Sequence, residues 1–218
     1  MDFESIWNYF PVLFKGLQAT ALISLAALST SLVMGVVLVV LGRSQFRAIR
    51  ILTRVYTEII LGIPVLVLVY VIFFVFPDMG IRLSPINSGV LALTLYYAPY
   101  MAEAIRGAVN AVPEGQIEAG LTVGMSRWQI GSRVIAPQAI GVALPVLTGI
   151  AIGLCKDTAI LSVISVVELA FQTKQVVART YAPFETYIVV AAMYWCMLSL
   201  FEFMMRMLER RMTAYRMA

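Results

Sequence analysis

Charge is spread so unevenly along this chain that the gaps between charged residues outline its architecture. Uncharged, mostly apolar runs occupy residues 16–42, 59–77, 83–102, 134–155 and 186–201, each bounded by a basic residue or a carboxylate. The hydrocarbon core of a bilayer takes about 20 residues of helix, with a range of roughly 17 to 25. Four runs reach that length. The fifth reaches it by extension, because Glu202 and Arg206 lie one turn apart near a helix end, where the arginine snorkels to the interface and the glutamate pairs with it. The pattern predicts an all-α membrane protein with five transmembrane helices, over 16–42, 55–77, 84–109, 132–155 and 184–208, in one transmembrane domain spanning 1–218. The first run is expected to remain in place. The segment before it holds Asp2, Glu4 and only Lys15, unlike the basic flank of a signal peptide, and the run is too long for a signal-peptide core.

Five crossings put the two ends of the chain on opposite sides. Loops rich in arginine and lysine face the cytoplasm. With the N-terminus outside, the inner segments collect Arg43, Arg47, Arg50, Arg54, Arg106, Arg127, Arg133, Arg206, Arg210, Arg211 and Arg216, which are 11 of the 16 basic residues. The C-terminus and the interval 110–133 are then expected on the cytoplasmic side.

Composition narrows the chemistry. The chain is 61% hydrophobic and 13% charged, against roughly 25% charged residues in soluble domains. Its 218 residues hold several crossings but no sizeable soluble domain beside them, so soluble machinery must come from partners. Histidine is absent, and the two cysteines, Cys155 and Cys196, lie in apolar runs. That inventory leaves no His/Cys metal site and no Ser/His/Asp or Cys/His nucleophile. No G-x-x-x-x-G-K-[ST] phosphate loop is present. The arginines follow the membrane edges and form no basic soluble face, which argues against nucleic acid as a partner.

The longest polar interval breaks the apolar pattern with a structure of its own. Pro113 and Gly115 end the third helix. Residues 116–124 then place Ile117, Leu121 and Val123 among Glu118 and Thr122, which predicts a short amphipathic helix that turns at Gly124. Ser126 is suited to N-cap the next helix, and Trp128 to lie at the membrane interface. Prolines inside the predicted crossings, at Pro64, Pro99, Pro137 and Pro145, free backbone carbonyls that neighbours or cavity water must satisfy, as expected around a transport pathway.

"EAGLTVGMSRWQIGSRVIAP", residues 118–137, resembles the EAA loop of the permease subunits of bacterial ABC importers, whose pattern is E-A-A, three residues, G, nine residues, I-x-L-P. Glu118, Ala119, Gly124 and Pro137 match it in spacing. Gly120 replaces the second alanine, Val134 the isoleucine and Ala136 the leucine. "EIILGIPVLVLVY", "YYAPYMAEAIRGAVNAVPEGQIEAG", "VIAPQAIGVALP" and "LCKDTAILSVISVVEL" are similar to the polar amino acid permeases of that superfamily. The resemblance covers about residues 12–210.

The resemblance implies the fold of a type I importer transmembrane domain in the bacterial inner membrane. It implies two permease subunits, identical or homologous, two cytoplasmic ATPase subunits that use ATP and Mg, and an extracytoplasmic substrate-binding protein, with no cofactor on this chain. Helix 116–124 becomes the coupling helix, with Glu118, Ala119, Gly120, Gly124 and Arg127 as the ATPase-coupling residues. In the resembling family the stretch Lys156, Asp157, Thr158 lines the amino acid site, and these groups suit a carboxylate, an ammonium and a neutral hydrogen-bonding group. Gly62 and Pro64 are candidates for the facing wall. The apolar stretch 159–167 is too short to span and is expected to fold back into the outer half of the bundle. Lys174 and Arg179, in the outer interval 171–185, face where a binding protein docks or lie in a solvated loop. Two other readings stay open on residues alone. One is an intramembrane enzyme using Asp157 with Glu168 or Glu58 with Glu103. The other is a membrane scaffold, which explains the hydropathy but neither the prolines nor the spaced motif.

Overall fold

In the computed structural model, residues 6–213 are described. Asp2, Glu4 and Arg216, which enter the flank and sidedness arguments, lie outside them. The described chain is helical. Helix α1 covers Phe10–Gly42, α2 Arg47–Gly62, α3 Val65–Met79, α4 Pro85–Asn110, α5 Gly115–Thr122, α6 Ala136–Asp157, α7 Leu169–Thr180 and α8 Pro183–Thr213.

Helix α1 packs along α4 because both present small side chains at the seam. The buried stripe of α1 includes Ala27, Ser31 and Gly35, and α4 answers with Ala92, Ala98 and Ala102. Small residues let helix backbones approach where lipid offers no hydrophobic drive to associate. The approach is closest at Gly35, where an added Cβ would stand 2.7 Å from Met101 Cβ and 3.2 Å from the Ala102 nitrogen. A hydrogen bond between the Thr30 and Thr94 hydroxyls, 2.5 Å apart, crosses the same seam. Helix α4 is the hub, contacting α1, α2, α3 and α6. Ile23, Val69, Ile72, Leu93, Tyr97 and Leu154, from these elements, meet in one apolar cluster that the returning segment closes with Leu161 and Ile164.

The expected second crossing, 55–77, is not one straight helix. α2 and α3 meet at an angle of 108°. Ile63 and Pro64 take extended backbone, with φ and ψ of −107° and 134°, and −61° and 138°. The proline ring disfavours helix in the residue before it and has no N–H to continue the ladder, so the helix stops and restarts. Two other prolines alter the winding without breaking the rod. π-helical turns at Val71–Val75 and Ile130–Ile135 each end two residues before a proline, Pro77 and Pro137.

Phe10–Gly42, Arg127–Ile164 and Pro183–Met212 are long and apolar enough to cross a membrane, and the bent pair α2 and α3 reaches that measure only when counted as one span. Helix α4, the expected third crossing, has 26 residues but is not among the helices long and apolar enough to cross by that measure, and it lies enclosed by α1, α2, α3 and α6. Helix α8 is the opposite case: only 6% of its apolar window is covered by protein, leaving Trp195 and Phe203 bare for lipid or a neighbouring chain.

Candidate functional site

One end of the bundle is organised around α5. Its eight residues are exposed except for Gly120, which is buried against the foot of the following helix. An added Cβ at Gly120 would stand 2.8 Å from Ile130 Cγ1, so the small residue serves contact within this chain. The helix ends in a Schellman motif: the Met125 N–H donates to the Gly120 carbonyl and the Gly124 N–H to the Leu121 carbonyl, both at 3.0 Å. Gly124 occupies the left-handed region with φ +81°, which a side chain would strain. Two residues later Ser126 caps the next turn in a capping box. The Gln129 N–H donates to Ser126 Oγ at 3.3 Å, and the Ser126 N–H donates to Gln129 Oε1 at 2.8 Å.

Two adjoining caps make a short, stiff corner between α5 and the foot of α6. On its outward surface stand Glu118 and Ala119, with Ile117, Leu121 and Val123 beside them and Trp128, 82% exposed, on the next turn. Arg127 is exposed in that turn as well. Among the described residues the Glu118 carboxylate has no side-chain partner. An exposed amphipathic helix with an unengaged carboxylate is equipped to dock into another protein.

The opposite end gathers different chemistry. Lys156 and Asp157 close α6, Lys156 exposed and Asp157 half-buried. The Tyr97 hydroxyl, from α4, donates to Asp157 Oδ2 at 2.7 Å. Thr158 is buried, and its hydroxyl donates to the Cys155 carbonyl at 2.8 Å, so it turns into the bundle. A Cβ at Gly62 would meet nothing within 4 Å, so that side of the glycine faces open space, and Pro64 sits at the break between α2 and α3. Lys174 on α7 donates to the Ser162 hydroxyl at 2.9 Å.

Sequence reasoning missed the anchor of this end. After a turn at Thr158–Ile164 the chain reverses through Ser165, which has φ 61°, and Glu168 then N-caps α7. Its carboxylate accepts from the N–H groups of Ala170 at 2.9 Å and Phe171 at 2.7 Å, from the Thr20 hydroxyl of α1 at 3.3 Å and from the Tyr194 hydroxyl of α8 at 3.2 Å. One fully buried side chain ties three helices together. With four donors on it, Glu168 is not free to serve Asp157 as an acid–base partner. A lone acid in the apolar stretch 159–170, placed just ahead of good helix formers, was the available signal. Each carboxylate of the other pair in the enzyme reading is engaged by an arginine of its own helix, Glu58 by Arg54 at 2.8 Å and Glu103 by Arg106 at 2.9 Å.

Residues 27–214 match the family of binding-protein-dependent transport system inner membrane components. The chain belongs to that family. Among similar proteins, the probable amino-acid permease protein YxeN of Bacillus subtilis is 31% identical over 98% of this chain and 96% of its own length. The glutamine transport system permease protein GlnP of Escherichia coli K12 is 33% identical over 97% of each chain. A solved amino acid ABC transporter, crystallised with histidines, superposes with a TM-score of 0.90 at 34% identity, covering 97% of this chain and 99% of that one. The methionine transporter MetNI, at 21% identity and a TM-score of 0.76, shares the fold. This inner membrane component therefore has the transmembrane fold of a type I ABC importer, and it is a transporter permease, not an enzyme.

Proposed function

We propose that this chain is the permease subunit of an ATP-driven importer for amino acids or their derivatives, and that α5 is the lever through which ATP hydrolysis moves it. The observation that carries the reading is the exposed helix α5, locked by two adjoining caps to the foot of α6. A push on a helix held that stiffly is passed into a membrane crossing rather than lost in a loop. Glu118, Ala119 and Arg127 form the surface that meets a cytoplasmic ATPase subunit, while Gly120 and Gly124 keep the lever's shape.

In the full assembly two such permeases, identical or homologous, pair with two ATPase subunits, which hold the ATP and Mg, and receive substrate from an extracytoplasmic binding protein. The path has five crossings, with the N-terminus outside and α5 in the cytoplasm, as the arginine distribution favours. At the outer end Asp157 and Lys156 are suited to the ammonium and carboxylate of an amino acid. Tyr97 holds Asp157 in place. Thr158, Gly62 and Pro64 join the site only in a second conformation, because here Thr158 is bonded inward and Gly62 faces open space. Alternating access between two such arrangements is what ATP and the loaded binding protein would bias.

The test is to purify the chain with its co-expressed neighbours and assay substrate-stimulated ATP hydrolysis with and without Glu118→Arg. The lever reading predicts loss of the complex or of its stimulation. Intact stimulation in the variant, or the absence of any copurifying ATPase, would sink it. For the substrate site, Asp157→Ala is expected to abolish uptake while the complex still assembles.

A further inference from the structure

A cavity of about 670 Å³ opens where α1 ends, between α2 and the inner third of α4, and neither the lever nor the substrate site uses it. Its walls carry Arg43, Arg50, Arg54 and Arg106 against Glu58 and Glu103. Each carboxylate is engaged by an arginine of its own helix, Glu58 by Arg54 at 2.8 Å and Glu103 by Arg106 at 2.9 Å. The other two arginines have no such neutralisation. Arg50 donates to the uncharged carbonyls of Ser44 at 2.8 Å and Gln45 at 3.2 Å, and Arg43 has no side-chain partner among the described residues. The cleft therefore holds two guanidinium charges in excess, in the planar, multi-donor form that matches phosphate oxygens.

The wall that carries Arg50 and Arg54 also says which phosphate. Because α2 stands at 108° to α3, it runs across the direction of α3 rather than continuing it, which is the attitude of a helix laid along a membrane surface when α3 points into the bilayer. At 100° per residue, Leu52, Val55 and Ile59 fall roughly 140° around the helix from Arg47, Arg50 and Arg54. No protein covers that apolar strip: Leu52 is 71% exposed, Ile59 53% and Val55 42%. A helix with one apolar and one arginine face, lying across a span, sits at the boundary of headgroups and acyl chains.

We propose that this cleft binds the phosphodiester of an anionic phospholipid, with Arg43 and Arg50 on the phosphate and the strip of Leu52, Val55 and Ile59 against its acyl chains. This rests on the reading that the chain spans a bilayer, with this end in the cytoplasmic leaflet, and is independent of what is transported. Basic clefts between crossings on the cytoplasmic side recognise lipid headgroups by the same electrostatics.

Native mass spectrometry of the purified permease complex, titrated with phosphatidylglycerol or phosphatidylcholine of identical acyl chains, tests it. Wild type is expected to retain phosphatidylglycerol more tightly by roughly tenfold to thirtyfold. Arg43→Gln combined with Arg50→Gln should remove that preference, and since both side chains are exposed the fold is kept. Arg82→Gln with Arg179→Gln, at the outer end, should leave it intact. Equal retention of the two lipids, or a preference that survives the Arg43/Arg50 change, overturns the proposal. Glycerol 3-phosphate bound without lipid as tightly as phosphatidylglycerol would overturn the lipid assignment in favour of a free phosphate. None of these outcomes depends on ATP hydrolysis, so they separate from the failure of the Glu118→Arg test.

Discussion

Glu168 lies wholly enclosed at the α7 end of the bundle with four hydrogen bonds on its carboxylate, whereas Glu118 stands exposed at the opposite, α5 end with no side-chain partner among the described residues. The two side chains are chemically identical, and the fold assigns them opposite tasks. The buried one holds α1, α7 and α8 in a fixed relation. The exposed one leaves its charge available to another protein. Removal of the first should damage stability, and removal of the second should damage coupling alone.

The largest expected effect is therefore Glu168→Ala. It strands the Thr20 and Tyr194 hydroxyls and uncaps α7, for a loss of about 3 kcal/mol from unsatisfied buried donors and a missing cap. Thermal unfolding of the purified protein in detergent would show it; a shift no larger than that of Glu118→Ala would erase the contrast between the two ends. A close helix seam should come next. Gly35→Leu drives a side chain into Met101 and the α4 backbone, for a loss of roughly 2 kcal/mol in the same measurement.

A pH series sharpens the comparison further. Burial raises the Glu168 carboxyl above its ordinary value of 4.5, outweighing the hydrogen bonds from Ala170, Phe171, Tyr194 and Thr20 that lower it. The folded state then keeps a proton that the unfolded state has released. Its contribution to stability is full below pH 4.5 and is lost as pH rises through the folded value. Wild type should accordingly lose stability relative to Glu168→Gln as pH is raised from about 4.5. A constant difference would show that the carboxylate is as well accommodated inside as in water.

The smallest structural effect is expected at the lever. Gly124→Ala places a side chain at φ +81° and should cost about 1 kcal/mol. Its signature is a fall in substrate-stimulated ATP hydrolysis with little change in the unfolding midpoint. Unchanged hydrolysis would mean that the stiff corner between α5 and α6 is not needed for coupling.

The α5 end was legible because its determinants are local. Gly124 ends α5 and Ser126 opens the next turn through hydrogen bonds that reach no farther than five residues along the chain, so the local pattern of small, capping and apolar residues carries them. The α7 end was only half legible. Lys156 and Asp157 stood out as charges at membrane depth, but Glu168 joins residues 148 and 26 positions away, and Tyr97 meets Asp157 across 60. The helix break at Pro64 was foreseeable as a break. Its angle of 108°, which turns a supposed half of a crossing into a helix lying across it, was not.

By itself, the sequence determined the long apolar helices and where the short exposed helix α5 begins and ends. Hydropathy, prolines and caps act over one or two turns, and their consequences do not depend on what packs nearby. Only the tertiary structure decided that Gly120 fits Ile130 of the same chain, that Glu168 is a buried tie rather than an acid–base group, and that the inner arginines share one cleft. Those outcomes depend on which distant side chains the packed helices bring within hydrogen-bonding or contact distance, and in an apolar bundle many helix faces are similar enough that sequence alone does not choose among them.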